Sequence, residues 1–353
     1  MHQVTQLRDA LRPHLAWHGA RLTFLALFLI ALLRVRSVNF ATLAQAFCGQ
    51  AQTDSHYKRL QRFFRDYEFE PTALTRAAVS LLNIPQPWVL SLDRTEWCFG
   101  QTVYNILVLA VVHEGVAIPV VWQMLDKRGN SNTRERMSLY SQWLKYFGHI
   151  EIDFLSADRE FVGQYWFSYL KAAPNTPFRI RIRHNYRLFD GRRSLSVATL
   201  FANLTPSQQR VLRRRRRLWG HWVFIAASRL EDGSLLVVAT THKPRSAIAD
   251  YAKRWGIETL FGILKSRGFQ LEDTHLRDGA RVSKLLALLG LALAWALHVS
   301  LWQHQLKPLK LKAHGRRAKS LFRYGLDYLS NIMHNLDHKA EPFAQVVQFL
   351  SCT

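Results

Sequence analysis

Hydrophobic positions recur at helical spacing up to about residue 85 and at strand spacing beyond it. The run LTFLALFLIALL at 22–33 is apolar on every side and predicts a buried helix over 21–34. In NFATLAQAFCGQAQTDSHYKRLQRFFRDY, Leu43 and Phe47 form an i, i+4 apolar pair. Gly49 is expected to end that helix, and Thr53 or Asp54 to cap the next. This next helix carries Tyr57, Lys58, Arg59, Arg62 and Arg65 around Leu60, Phe63 and Phe64. Two short helices with a basic second member fit a DNA-reading module and fit equally an ordinary bundle with a solvated basic face.

The turn-rich NIPQP at 83–87 marks a boundary. Strands are predicted at 88–93 (WVLSLD), 102–112 (TVYNILVLAVV) and 116–122 (VAIPVVW), with links short enough to make them antiparallel neighbours. A capped helix over 131–147 leads to a fourth strand at 150–156 (IEIDFLS), which can therefore lie parallel to the first. A helix at 160–172 and the alternating strand FRIRIR at 178–183 follow. This order is that of a ribonuclease-H-like fold, an α/β class with a mixed five-stranded sheet. A β-rich segment at 184–245 interrupts it, and a helix resumes the core near Ser246. The expected organisation is a helical N-terminal DNA-binding domain (1–85), the first part of the core (86–183), the β-rich insertion (184–245), the final part of the core (246–300) and a basic helical C-terminal region (301–353).

Composition narrows the partners. The 353 residues include 48 Lys and Arg against 25 Asp and Glu, a net charge of +23. Such a chain repels itself unless a polyanion is near, which puts nucleic acid first and an anionic membrane surface second. The apolar runs at 22–33 and 285–297 are shorter than the roughly 18–20 residues that span a bilayer, so both are expected to be buried helices and no membrane partner is expected. The N-terminus lacks signal-peptide features. Cys48, Cys98 and Cys352 are too few and too scattered for a disulfide framework or a zinc site, and a reducing cytoplasm fits. The fifteen histidines form no HExxH, and there is no GxxxxGK[ST] loop for nucleotide hydrolysis.

The most basic helical stretch, YAKRWGIETLFGILKSRG at 251–268, holds an isolated acid. On one continuous helix, Tyr251, Arg254, Glu258 and Lys265 fall within roughly 60° of one another. Ile257, Leu260, Phe261 and Leu264 make an adjacent apolar stripe suited to a sheet. Asp93 ends the first predicted strand, and Asp158 lies just past the fourth. If those strands are parallel neighbours, their carboxyl ends meet where ligand sites in such sheets form. Asp93, Asp158 and Glu258 would then converge. Close carboxylates repel unless a cation intervenes. Hard oxygen donors suit Mg²⁺, with Mn²⁺ able to substitute. Two such ions about 4 Å apart would drive in-line attack on a phosphodiester. Arg254, Lys265 and Tyr251 are expected to face the DNA backbone beside them.

At these residues the chain resembles the IS4-type transposases of bacterial insertion sequences, relatives of the Tn10 and Tn5 transposases. Their signature Y-x2-R-x3-E-x6-K is matched at every position by YAKRWGIETLFGILK, and SLDRTEW and SADREFVG resemble the two aspartate blocks. The resemblance implies a DDE transposase with Asp93, Asp158 and Glu258 as metal ligands and Tyr251, Arg254 and Lys265 on transposon-end DNA. It implies cut-and-paste transposition through hairpinned ends, joining to target DNA, terminal inverted repeats as substrate, and a homodimer in the synaptic complex. It also implies a bacterial, cytoplasmic and nucleoid-associated protein. In some relatives a tryptophan of the β-rich region holds a flipped base. Trp219 and Trp222 are the candidates, and both also read as core aromatics.

The run Arg213, Arg214, Arg215, Arg216, Arg217 reads as a solvated face or, beside those tryptophans, as a DNA contact. On the helical module Lys58, Arg59 and Arg62 are the corresponding candidates. Asp153 is a rival second acid placed early in its strand. Glu96 and Asp126 read as loop or surface acids, and Glu160 as a first-turn helix acid or a partner of Arg159. Two other functions share parts of this pattern: another ribonuclease-H-like, metal-dependent DNA nuclease, or a catalytically inactive DNA-binding repressor. The four-residue signature favours the transposase over the first, and the three intact acids favour it over the second.

Overall fold

The structure, a computed structural model, describes residues 2–172, 175–313, 315 and 317–351, so Cys352 lies outside the described residues. The chain divides into two units. One comprises Met1–Ile84, Trp97–Tyr104 and Leu260–Thr353, and the other Pro85–Glu96 and Asn105–Thr259.

The first unit opens with α1 (His2–Leu11), α2 (Gly19–Val35), α3 (Phe40–Ala46), α4 (Thr53–Asp66) and α5 (Pro71–Leu82). Every residue of α2 from Phe24 to Leu33 is buried, as its unbroken apolar run requires. Asn39 caps α3 by accepting from the Ala41 and Thr42 amides at 3.0 and 3.3 Å. The expected cap of α4 differs: Thr53 is already helical, and Gln52 before it makes no side-chain cap bond. α4 buries His56, Leu60, Phe63 and Phe64, and Phe63 stacks on Phe24 with ring centroids 4.0 Å apart.

β1 (Trp88–Phe99), β2 (Thr102–His113) and β3 (Val116–Met124) form a meander, in the second unit apart from the stretch Trp97–Tyr104 around the β1–β2 turn. Glu114 and Gly115, with φ of 50° and 77°, close the β2–β3 hairpin with two left-handed residues, the conformation that matches strand twist. β1 runs on past the predicted end at 93, so Asp93 lies inside a strand rather than at its terminus. Next come α6 (Thr133–Phe147), β4 (Ile152–Ala157), α7 (Gln164–Lys171) and β5 (Phe178–Arg181). A capping box starts α6: Asn132 accepts from the Glu135 amide at 3.0 Å, and Glu135 from the Asn132 amide at 2.7 Å. β4 lies parallel to both β1 and β5, giving the order β3-β2-β1-β4-β5.

The segment expected to interrupt the core instead continues its sheet. It contains β6 (Arg187–Phe189), β7 (Ser194–Ser196), α8 (Val197–Leu200), β8 (Gln209–Val211), β9 (Arg216–Leu218), β10 (His221–Arg229) and β11 (Leu235–Thr240). β11 pairs antiparallel with β5 and β10 with β11, so the five-stranded sheet expected from sequence is part of an eleven-stranded one. The free edge of β5 needs hydrogen-bond partners, and β11 supplies them. α9 (Ala247–Ala252) packs across β5, β11 and β10. It covers the face on which FRIRIR alternation places arginines, so Arg179 is fully buried and not solvated. Arg179 Nε and Nη2 donate to Asp250 Oδ2 at 3.2 Å, and its Nη1 to Thr240 Oγ1 at 2.6 Å. α10 (Trp255–Gly262) follows after a break at Lys253 and Arg254, and a π-helical turn covers Ile263–Arg267. The single helix expected over 251–265 is therefore three pieces.

The remainder of the first unit is α11 (Gly279–Leu306), α12 (Leu321–His334) and α13 (Ala340–Ser351). α11 has 28 residues, far longer than its apolar run at 285–297 suggested. Among the described residues α11 is long and apolar enough to cross a membrane, and 83% of its apolar window is buried inside the chain, with α5 and α12 packed along it.

Candidate active site

The sheet register brings two acids together. Leu92 pairs with Ala157 across the parallel β1–β4 ladder, so Asp93 and Asp158 each directly follow a paired residue on adjacent strands. The third acid, Glu258, lies in the first turn of α10. Arg254, just before that helix, joins the group. Its Nη1 donates to Asp93 Oδ2 at 2.9 Å, and its Nη2 donates to Glu258 Oε1. The phenol of Tyr251 donates to Asp158 Oδ1 at 3.2 Å, and Arg181 Nη1 lies 3.7 Å from the same oxygen. Arg254 was expected to face a DNA backbone. It is instead 7% exposed, turned onto the acids, with its Cζ 5.5 Å from the centroid of the Tyr251 ring. The isolated acid of the basic stretch is compensated by the arginine one helical turn before it.

Burial pushes the Asp93 carboxyl up to about 6. Arg254 and the Arg94 amide oppose the rise, while Asp158 and Glu160 add to it. Burial also raises the Tyr251 phenol, which packs among Ala226, Val238 and Ala247, so it stays protonated and a donor. Arg254 loses some of its charge preference to burial but gains more from Tyr251, Asp93 and Asp158, and its pKa rises overall.

A supporting network was missed in the sequence. Arg94 Nη1 donates to Glu96 Oε2 at 2.6 Å, and Arg94 Nε lies 3.6 Å from Glu160 Oε1. Glu96 also accepts from the Gly129 amide at 3.1 Å, which ties β1 to the loop before α6. Glu160 is neither a helical residue, since α7 begins at Gln164, nor paired with Arg159. The signal was present: Arg94 and Glu96 are opposite charges two residues apart, hence on one strand face. Asp153, the rival acid, is bound by Lys243 at 3.0 Å. Asp126 is exposed after β3, as expected.

The other candidates are distributed more widely. Lys265, on the π-helical turn, lies 3.0 Å from Glu272 and 5.4 Å from the Trp97 ring centroid. Arg213, Arg214 and Arg215 are exposed, with Arg215 over the Phe224 ring at 4.8 Å. Lys58 and Arg62 are exposed on α4, whereas Arg59 is half-buried over the Phe24 ring at 5.8 Å. The tryptophans separate clearly. Trp219 packs edge-on against Phe167 and Tyr186 at 5.3 and 4.9 Å. Trp222 is 44% exposed and lines a concavity of about 340 Å³ with Lys171, Arg215 and His242.

The donor set suits a hard divalent cation: three carboxylates with a positive group already drawn between two of them. The buried Arg254 Nε makes no hydrogen bond among the described residues. Among the described residues no group of three His, Cys, Asp or Glu side chains lies close enough to grip an ion as placed. Gly256 sets the height of α10. A Cβ there would meet Val112 Cγ1 at 2.9 Å and the Ala117 amide nitrogen at 3.4 Å. Because valine is stiff at χ1, Gly256→Ala is expected to cost about 1–3 kcal/mol and to shift Glu258 outward. A lowered thermal midpoint together with reduced strand cleavage checks this, and unchanged values for both would refute it.

The family model for the transposase DDE domain matches residues 85–297. In fold the chain is similar to the cryo-EM structure of the piggyBac transposase synaptic complex with hairpin DNA. The TM-score is 0.50 at 8% sequence identity, covering 100% of this chain and 83% of that one. No curated protein sequence matches the chain.

Proposed function

As a member of the transposase DDE domain family, the chain is a DDE transposase, and we propose that it excises an IS4-type bacterial insertion sequence and joins it to target DNA by cut and paste. The observation that carries this reading is the meeting of Asp93, Asp158 and Tyr251, Arg254 and Glu258 at the parallel β1–β4 pair. The strand order β3-β2-β1-β4-β5 supports a ribonuclease-H-like core.

DDE transposases use divalent metal ions, and Asp93, Asp158 and Glu258 are the residues that would hold them, with Mg²⁺ the ion proposed and Mn²⁺ a substitute. Such ions supply activation of a water or 3′-hydroxyl and stabilisation of the leaving oxygen. The chain's own residues do the rest. Tyr251 holds one oxygen of Asp158 through its phenol proton and thereby fixes the orientation of that carboxylate. Arg254, once released from the acids, offers a bidentate fork to a phosphate, and Lys265 a point charge. Arg213, Arg214 and Arg215 add backbone contacts that steepen salt dependence. The helical module of residues 1–85 contributes Lys58 and Arg62. Trp222, exposed beside a basic concavity, is the better stacking residue for an extruded base, because Trp219 is already packed on two aromatic rings.

The solved complex of the similar fold is a synaptic complex with hairpin DNA, which is in line with the hairpinned ends proposed here, and a homodimer is proposed for the synaptic complex. Purified protein, Mg²⁺ and a labelled end fragment test the route on a denaturing gel. A product migrating at twice the strand length is the expected result. Nicked strands alone would remove the hairpin step, and no cleavage with Mg²⁺ or Mn²⁺ would remove the proposed chemistry.

A further inference from the structure

The first unit contains a concavity of about 490 Å³, lined by residues to which no role has been assigned. That volume falls within the range of small-molecule clefts, roughly 300–1,000 Å³. One wall is α4, which presents Tyr57, Gln61 and Arg65 at i, i+4 and i+8, a single row on a helix. Phe40, Phe64 and Leu276 supply apolar lining. Arg277 and Arg281 face the α4 wall from the other side.

The second wall is firmly held. The Leu276 carbonyl accepts from the Tyr104 phenol, and His275 stacks on Phe99 with centroids 4.9 Å apart. The Asp278 carboxylate is engaged as the cap of α11, accepting from the Arg281 amide at 2.9 Å. Arg65 is paired with Asp66 at 2.6 and 3.0 Å, so the positive charge of the lining comes from Arg277 and Arg281. Tyr57 is 37% exposed and meets Phe40 edge-on at 6.5 Å, which leaves ring surface open to stacking.

We infer that this concavity takes one unpaired nucleotide of a DNA strand, with its base against Tyr57 and its phosphate on Arg277 and Arg281. The charge, the aromatic face and the amide of Gln61 match a phosphate, a base face and a base edge respectively. The placement on α4 adds a reason to choose DNA. Lys58 and Arg62, the exposed cations proposed to follow the backbone, each sit one residue along from a cavity residue. A strand gripped by that row has its next base within reach of the cavity. The inference rests on the reading of the chain as a DNA-acting enzyme, and it is separate from the Trp222 concavity of the other unit.

Fluorescence anisotropy with two labelled duplexes tests it, one fully paired and one with a single unpaired thymidine. The parent protein is expected to prefer the bulged duplex. Tyr57→Ala should weaken that complex about ten-fold and leave the paired duplex unchanged, while Tyr57→Phe retains the preference. Trp222→Ala should leave the Tyr57-dependent preference in place. A crosslink from 5-iododeoxyuridine at the bulge should map to Tyr57. Equal binding of both duplexes by the parent would overturn the inference, as would a Tyr57→Ala loss shared equally by both or a preference that vanishes only with Trp222→Ala. A parent protein that binds neither duplex would fail the DNA-acting reading itself, a distinct result.

Discussion

Glu258→Gln is expected to lower strand cleavage by about three orders of magnitude while DNA binding stays near the parent level. The amide keeps the shape and can still accept from Arg254, so α10 should not move. What it loses is the negative charge. A neutral amide is a poor ligand for a hard cation, and electrostatic stabilisation worth several kcal/mol is lost at the reacting phosphate. Each factor of ten corresponds to about 1.4 kcal/mol, so a thousand-fold loss is about 4 kcal/mol. Supercoiled plasmid nicking with Mg²⁺ reads the rate, and anisotropy reads the binding. Cleavage within ten-fold of the parent would remove Glu258 from the chemistry. Loss of binding in step with cleavage would instead make it a structural residue.

The second large effect concerns stability. Asp250→Ala leaves the guanidinium of Arg179 buried with its carboxylate partner gone. Breaking a buried pair in this way costs about 3–5 kcal/mol, a large share of the roughly 5–15 kcal/mol that holds a typical domain together. Arg179 keeps Thr240 and its cation–π contact with Phe154 at 5.0 Å, but neither carries a negative charge. The damage also reaches the active site, because Asp250 and Tyr251 are neighbours on α9. Urea unfolding should show a lower midpoint. The double variant Arg179→Met with Asp250→Leu should recover much of the loss, since an apolar pair needs no compensation. A single variant within 1 kcal/mol of the parent would show that water or another group already satisfies Arg179.

The strands and the acids were legible because each carries a local signal. Alternation, short links and a capped α6 gave the order of the first five strands, and the spacing of Tyr251, Arg254 and Glu258 pointed to the candidate site. What escaped depends on partners distant in the chain. The burial of Arg179 shows only once α9 is laid over β5. The strands of 184–245 read as a separate body because sequence does not reveal that β5 lacks a partner on one side. Arg254 reads only as a DNA contact because Asp93, one of the two acids it turns towards, lies 161 residues away in the chain. The helix over 251–265 breaks at Lys253 and Arg254, where no proline or cap gives warning.

The continuity between β5 and β11 limits how this enzyme can be shortened. A catalytic fragment made by excising 184–245 would strip β5 of the strand bonded along it through Arg179, Ile180 and Arg181. The bared backbone would then recruit strands from other molecules. The segment that looks dispensable is thus what keeps the reactive half of the protein from self-association, and smaller editing tools derived from it would need a substitute strand at that margin.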